Sequence, residues 1–292
     1  MKPIAIGTHD FKKIRENNSL FIDKTLFIKE LIDDSSDVLL FPRPRRFGKS
    51  LNLSMINYYF NIEESSLDLF KGLKILDCSD KYLKEMNKYP IIHLSLKECK
   101  SNNFLEFKVL FKAVISELYT KYENIVLKSK KVTNIDKDYF VKCRDKLEDL
   151  ELSNCLKNLS RILYYHYSVP VLILLDEYDA PIMESYLNGY YDELISFIKQ
   201  IFNSTFKDNL YLKKGIITGI LRISKEGMFS DANNIKVYNV CDYRYSTHFG
   251  FLETEVINAL AEYNVSGKYE DIKNGMMVTF LEKVKYIILG VF

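Results

Sequence analysis

Apolar residues along this chain fall into short unbroken runs separated by stretches in which they recur every third or fourth position. Val38-Leu39-Leu40-Phe41, bounded by Asp37 and Pro42, has the pattern of a strand buried on both faces. Ile91 to Leu96, announced by Pro90, predicts another, and Val171-Leu172-Ile173-Leu174-Leu175 is the most apolar of all. Two more strands are expected at Gly215 to Gly219 and Lys236 to Val240. Phe104, Phe107, Phe111, Val114, Leu118 and Tyr122 repeat at helical intervals. Helices are also predicted through Leu26, Ile28, Leu31 and Ile32, with Asp23 as a candidate cap, and from near Gly48, with Leu51, Met55 and Tyr58 or Tyr59 turned inward. Further helices are expected at Cys155 to Tyr165 and Tyr191 to Phe206. Lys128 to Asp149 is dense in charge and poor in periodicity, so it predicts an exposed excursion.

Strands without in-out alternation, alternating with helices, imply an α/β fold: a parallel sheet flanked by helices on both faces. After Phe249 the chain turns helical through Val256, Ile257, Leu260 and Ala261. The expected organisation is an α/β domain over 1–248 that includes the N-terminal lead-in, the start of a small helical subdomain over 249–273, and a separate tail over 274–292.

Composition narrows the classes. A chain of 292 residues with 47% hydrophobic content can bury one large α/β core or two modest ones. Its 41 basic residues against 39 acidic ones leave a net charge of +2, so no global field draws it to nucleic acid or anionic lipid. Five cysteines without a CxxC pair suit a reducing compartment better than a disulfide framework or a zinc site. Met1-Lys2-Pro3-Ile4-Ala5 begins no signal-peptide-like apolar stretch, and no run approaches the ~20 residues of a membrane span, so a cytoplasmic location is expected.

Two motifs carry chemistry. Arg43-Pro44-Arg45-Arg46-Phe47-Gly48-Lys49-Ser50 stands between a buried strand and a helix, where a GxxxxGK[ST] phosphate loop belongs, and lacks only the first glycine. There Gly48 lets the backbone approach a phosphate, amides from Arg45 to Leu51 face the anion, Lys49 bridges the terminal phosphates and the Ser50 hydroxyl holds Mg2+. Arg43, Arg45 and Arg46 either reinforce phosphate binding or face solvent and meet another anion such as a nucleic-acid backbone. The second motif is Asp176-Glu177 at the end of the most apolar strand, where Asp176 suits the metal and Glu177 the attacking water. Thr218 is a candidate contact to the γ-phosphate or that water. Arg222 is a candidate for neutralising transition-state charge, in cis or toward a neighbouring copy, with a surface pair to Glu226 as its alternative. Asp179 reads as a helix cap, and His9, His93, His166 and His248 as structural histidines.

At these residues the chain resembles the AAA-ATPase-like family of bacterial proteins. The resemblance rests on Phe21-Ile22-Asp23-Lys24-Thr25, Arg43 to Met55, Leu175-Asp176-Glu177-Tyr178-Asp179-Ala180-Pro181-Ile182, Thr218 to Ile223 and Asn233 to Tyr238. It implies a P-loop fold that binds ATP, and an arginine where the first glycine usually stands is part of the family pattern. Members often carry a C-terminal nuclease-like domain of the PD-(D/E)XK type, so DNA-processing, defence and mobile-element roles are conceivable. Members also share a tail reading roughly Trp-Tyr-Asp-Gly-Tyr and then Tyr-Asn-Pro-Trp-Ser, whereas this chain has no tryptophan. Back-translated with permitted codons and read in a shifted frame, Asn274 to Phe292 yields both, so a frameshift near Lys273 is expected. The leading expectation is Mg-dependent ATP hydrolysis through Lys49, Asp176 and Glu177. Two alternatives stay open: a switch that holds ATP without turnover, and a nucleic-acid-binding component. The protein partner and any homo-oligomer are left undetermined.

Overall fold

The computed structural model of the chain describes residues 1–5, 7–207, 209–221, 234–269, 277–280 and 287–290. The chain divides into two compact units, one formed by Met1–Ser35, Phe41–Asn87 and Tyr238–Phe292, the other by Ser36–Leu40 and Lys88–Val237.

The second of these holds a parallel sheet built from β1 (Val38–Pro42, of which Val38–Leu40 belong to this unit), β2 (Ile91–Ser95), β3 (Val171–Asp176), β4 (Leu212–Gly219) and β5 (Ile235–Val237). Their order is β2-β3-β4-β1-β5. The register runs Ile91↔Leu172 to Ser95↔Asp176 between β2 and β3, Leu172↔Lys214 to Leu175↔Ile217 between β3 and β4, and Val38↔Ile235 to Leu40↔Val237 between β1 and β5. Every residue of β1 and β3 is buried, which is why neither alternates. β4 starts earlier and β5 ends earlier than the apolar runs suggest, because Leu212 joins the ladder and pairing of β5 stops at Val237.

Helices Phe104–Lys121, Cys155–Tyr167 and Tyr191–Phe206 supply one core with the strands. In the first of them the buried face is Phe107, Phe111, Ile115, Leu118 and Tyr119, while Val114 lies only partly inside. Asn103 caps it by accepting from the Glu106 amide at 2.9 Å, and Glu106 answers on the Asn102 amide at 2.9 Å.

The expected exposed excursion from Lys128 to Asp149 is instead ordered around a helix, Asn134–Asp145. Phe140 and Cys143 are its buried apolar residues, with Val132 and Leu147 buried on either side of it, too sparse to register as a period but enough to seat the helix. Several of its charges are paired: Arg161 lies 2.7 Å from the buried Asp136, and Lys142 lies 2.6 Å from Glu151. A helix over Ala180–Asn188 follows, as the reading of Asp179 as a cap implies, and begins with Pro181 in its first turn, where a missing amide costs nothing.

The first unit contains helices Phe11–Glu16, Leu26–Asp33, Lys49–Phe60 and Glu253–Glu262. Phe27, Phe41, Tyr245 and Phe249 pack ring to ring at 4.9–5.6 Å in its centre. Beside them Asp34, 4% exposed, accepts from Tyr238 at 2.7 Å and Tyr245 at 3.0 Å and lies 3.1 Å from Arg244. Asp23 does not cap the helix that starts at Leu26, whose N-cap position is Thr25. Its carboxylate accepts from the Thr25 amide and hydroxyl and reaches the Lys74 amide at 2.8 Å, tying two loops together. In Glu253–Glu262 only Val256 is fully buried, and Ile257 is exposed.

Of the tail from Asn274 on, Met277–Phe280 and Ile287–Gly290 are described, as antiparallel strands that pair with each other and, through the latter, with Phe251–Leu252. The frameshift reading otherwise falls outside the described residues. Among the described residues no helix is long and apolar enough to cross a membrane.

Candidate functional site

β1 delivers the chain into the loop at Pro42. Arg43 is then turned inward, 1% exposed, with one guanidinium nitrogen donating to the carbonyls of Pro42 at 2.9 Å and Tyr238 at 2.6 Å. Its guanidinium carbon lies 4.6 Å from the centre of the Phe249 ring. Burial pushes the guanidinium down to about 10, with Asp242 acting against that fall. Arg43 therefore does not face solvent: buried among these carbonyls and the Phe249 ring, it pins the start of the loop.

From there the backbone turns twice through the left-handed region, at Arg46 (φ 66°) and at Gly48 (φ 74°). The second position suits glycine, which adopts that conformation without steric cost. Phe47 between them is buried, and its carbonyl accepts from the Gly250 amide at 3.0 Å, so the loop is anchored at its middle. Arg45, Arg46 and Gly48 are exposed. Lys49 opens the helix with an 8% exposed side chain whose ammonium donates to the carbonyls of Arg43 at 3.0 Å and Pro44 at 2.8 Å. The loop is thus closed on itself by its own lysine. Ser50 and Leu51 follow in the first helical turn, both half-buried, and the Asn52 amide closes that turn on the Gly48 carbonyl at 2.9 Å. Left-handed turns ahead of a helix N-terminus suit a concavity of backbone amides that faces an anion.

In the second unit, the carboxyl ends of β3 and β4 bring Asp176, Glu177 and Thr218 together. Asp176 is 5% exposed and its Oδ1 accepts from the Thr218 hydroxyl at 2.5 Å and the Glu177 amide at 2.9 Å. Glu177 stands in the left-handed region at φ 49°, strained for a side-chain-bearing residue, and is half-buried. The Tyr178 amide returns to the Thr218 carbonyl at 3.3 Å. His93, on β2, is held toward its neutral form chiefly by burial, with the charge of Asp176 opposing.

Asp179 occupies the N-cap position of helix Ala180–Asn188, but its side chain makes no cap hydrogen bond. Its Oδ2 instead accepts from the amides of Ile220 at 2.8 Å and Leu221 at 2.7 Å, while the Tyr178 hydroxyl donates to the Leu221 carbonyl at 2.7 Å. The end of β4 is thereby lashed to the end of β3. Nothing local to Asp179 announces this, because its partners are backbone amides some forty residues away. Gly219 is required here by close approach: a Cβ would lie 2.5 Å from the Tyr178 ring. Arg222 and Glu226 lie outside the described residues. His248 pairs with Glu30 at 2.9 Å, and His166 meets the Ser129 hydroxyl at 2.9 Å, an oxygen that also accepts from the Lys131 and Val132 amides of a turn.

A loop of this shape and a strand-end carboxylate pair on a parallel sheet define a P-loop NTPase-like α/β protein. The family described as "Predicted AAA-ATPase" matches residues 5–229, and the chain belongs to it. The chain is also 26% identical over 257 residues to "Uncharacterized protein in vnfD 5'region" of Azotobacter chroococcum mcd 1, an alignment that takes in 87% of this chain and 44% of that protein. It therefore spans less than half the length of this relative.

Proposed function

We propose that the chain binds ATP with Mg2+ and hydrolyses it to ADP and phosphate. The observation that carries this reading is the loop: left-handed turns at Arg46 and Gly48, a buried anchor at Phe47 and a lysine held over its own loop carbonyls at the start of a twelve-residue helix. In this reading the amides from Arg45 to Leu51 receive the phosphates and Lys49 swings from the carbonyls of Arg43 and Pro44 onto their terminal oxygens, exchanging two neutral acceptors for charged ones. Arg45 and Arg46 add charge at the rim.

The sheet order supports the rest of the assignment. β4, which carries Thr218, lies between β3, which carries Asp176, and β1, which leads into the loop. Ligands of open parallel sheets bind beyond the carboxyl ends of the strands. The Ser50 hydroxyl and the Asp176 carboxylate are hard oxygen donors, the class that suits Mg2+, and would hold it with the help of water. The ion would neutralise charge on the phosphates. Glu177 orients and deprotonates the attacking water from the carboxyl end of β3, and Thr218 holds Asp176 in place.

Phosphate release from Mg-ATP tests this. Glu177→Gln is expected to lower turnover by about a hundredfold or more while ATP affinity is kept. Equal turnover in wild type and variant would remove Glu177 from the chemistry. A folded wild type that binds ATP but releases no phosphate would favour a switch that does not hydrolyse.

A further inference from the structure

The helix Tyr191–Phe206 of the second unit ends in surfaces of opposite character. Just before its start Tyr186 and Leu187 are 75% and 76% exposed, and Asp192 and Glu193 of its first turn are exposed as well. The Tyr190 hydroxyl donates to the Ser101 carbonyl at 2.9 Å, which brings the start of the helix Phe104–Lys121 to the same end. Leu105 there is 71% exposed, and Glu106 follows it at the surface. Burial pushes the Tyr190 hydroxyl up, against a hydrogen bond to Ser101, and Glu184 and Glu106 add to the rise, so both carboxylates lie close to it. Glu106, Glu184, Asp192 and Glu193 form no ion pair with any described residue.

Past the far end of the helix, Leu210 is 89% exposed, between the exposed Lys207 and Lys213. Asp208 lies outside the described residues. Tyr211 follows, its hydroxyl 3.5 Å from that of Tyr165. The Tyr211 carbonyl accepts from the Val171 amide at 2.8 Å, and shortly before Val171 the Ser168 hydroxyl accepts from the exposed Lys131 ammonium at 3.2 Å. Lys131, Lys207 and Lys213 likewise form no ion pair with any described residue. The 16 residues of the helix, at ~1.5 Å each, set the two surfaces about 24 Å apart, at opposite ends of the sheet.

Exposed apolar groups rimmed by unpaired charge suit a contact in which the centre supplies burial and the rim supplies selection. Alone, the acidic surface would suit any lysine-rich segment and the basic one any polyanion. Each copy of the chain carries both, so a second copy satisfies the two at once.

We propose that copies of this chain join head to tail through these surfaces, with Leu210 of one seated against Tyr186 and Leu187 of the next, and Lys207 and Lys213 facing Asp192 and Glu193. The contact is heterologous, so a pair still offers one surface of each kind at its ends. No residue assigned to the nucleotide takes part, and the test needs no ATP.

Sedimentation velocity of the full chain reads the contact directly. The wild type is expected to associate at about 100 µM or below. Its association should weaken about tenfold or more as salt rises from about 0.05 M to about 0.5 M. Asp192→Lys with Glu193→Lys, and separately Lys207→Glu with Lys213→Glu, set like charges against each other, and each double variant should sediment as a monomer. Mixed in equal amounts they should associate again, because the untouched surface of each meets its natural counterpart on the other. Urea denaturation checks that both are folded. Leu210→Asp, a single change at an exposed position, should also give a monomer. A wild type that stays monomeric at about 100 µM, association that survives these variants, or folded monomeric variants that fail to associate when mixed would overturn the head-to-tail contact.

Discussion

Replacing Asp179 with alanine removes the acceptor for two backbone amides, those of Ile220 and Leu221, at 2.8 and 2.7 Å from one carboxylate oxygen. Hydrogen bonds to a charged group contribute roughly 1.5–3 kcal/mol each. Asp179 is 2% exposed, which favours the upper part of that range, but Leu221 is exposed and its amide can turn to water. One nearly full contribution and one reduced contribution give about 2–4 kcal/mol of lost stability. Asp179→Asn keeps one acceptor oxygen and should lose about half as much. Urea denaturation of wild type and both variants measures this, with the midpoint falling and the slope unchanged. Losses below about 0.5 kcal/mol for Asp179→Ala would show that the lashing of β4 to β3 contributes little, and the argument for a fixed Thr218 would go with it.

Arg43→Ala should destabilise the chain by about 2 kcal/mol or more, since it strips two hydrogen bonds and the packing on Phe249. Arg45→Ala, at an exposed position, should leave stability within about 0.5 kcal/mol and weaken ATP binding instead; the same thermal melts and titrations read both. Asp33 is held down to about 2 from 3.8, chiefly by Lys81, with Lys29 and Tyr82 adding to it. A carboxylate whose folded value is depressed stabilises above its unfolded value, and that contribution fades as pH falls from about 4 to about 2. Because the pair is largely solvated, Asp33→Asn should cost at most about 1 kcal/mol near neutral pH. The difference from wild type should shrink across that acidic window and with added salt, as denaturation curves at several pH values would show.

The strands β1, β2 and β3 and the helices Phe104–Lys121, Cys155–Tyr167 and Tyr191–Phe206 were legible because burial on every side leaves an unbroken apolar run, and burial on one side leaves a period. Asn134–Asp145 was not, since its surface is dense in charge and its apolar seating rests on two side chains, Phe140 and Cys143. The residues of the loop could be listed from the sequence, yet Arg43 could not be told from Arg45 and Arg46. Three arginines within four positions look alike until the backbone turns one of them onto Tyr238 and Phe249. Asp179 shows the same limit from the other side: its position at a helix start is visible locally, and its partners are not.

The central claim is that the loop from Arg45 to Leu51 holds the phosphates of ATP, and calorimetric titration of Mg-ATP into the wild type and a folded Lys49→Ala variant tests it most directly. Saturable binding by the wild type that is lost or weakened at least about thirtyfold in the variant, as removal of a charge-assisted contact to phosphate predicts, would bear the account out. Equal binding by both proteins, or none by a folded wild type, would contradict it.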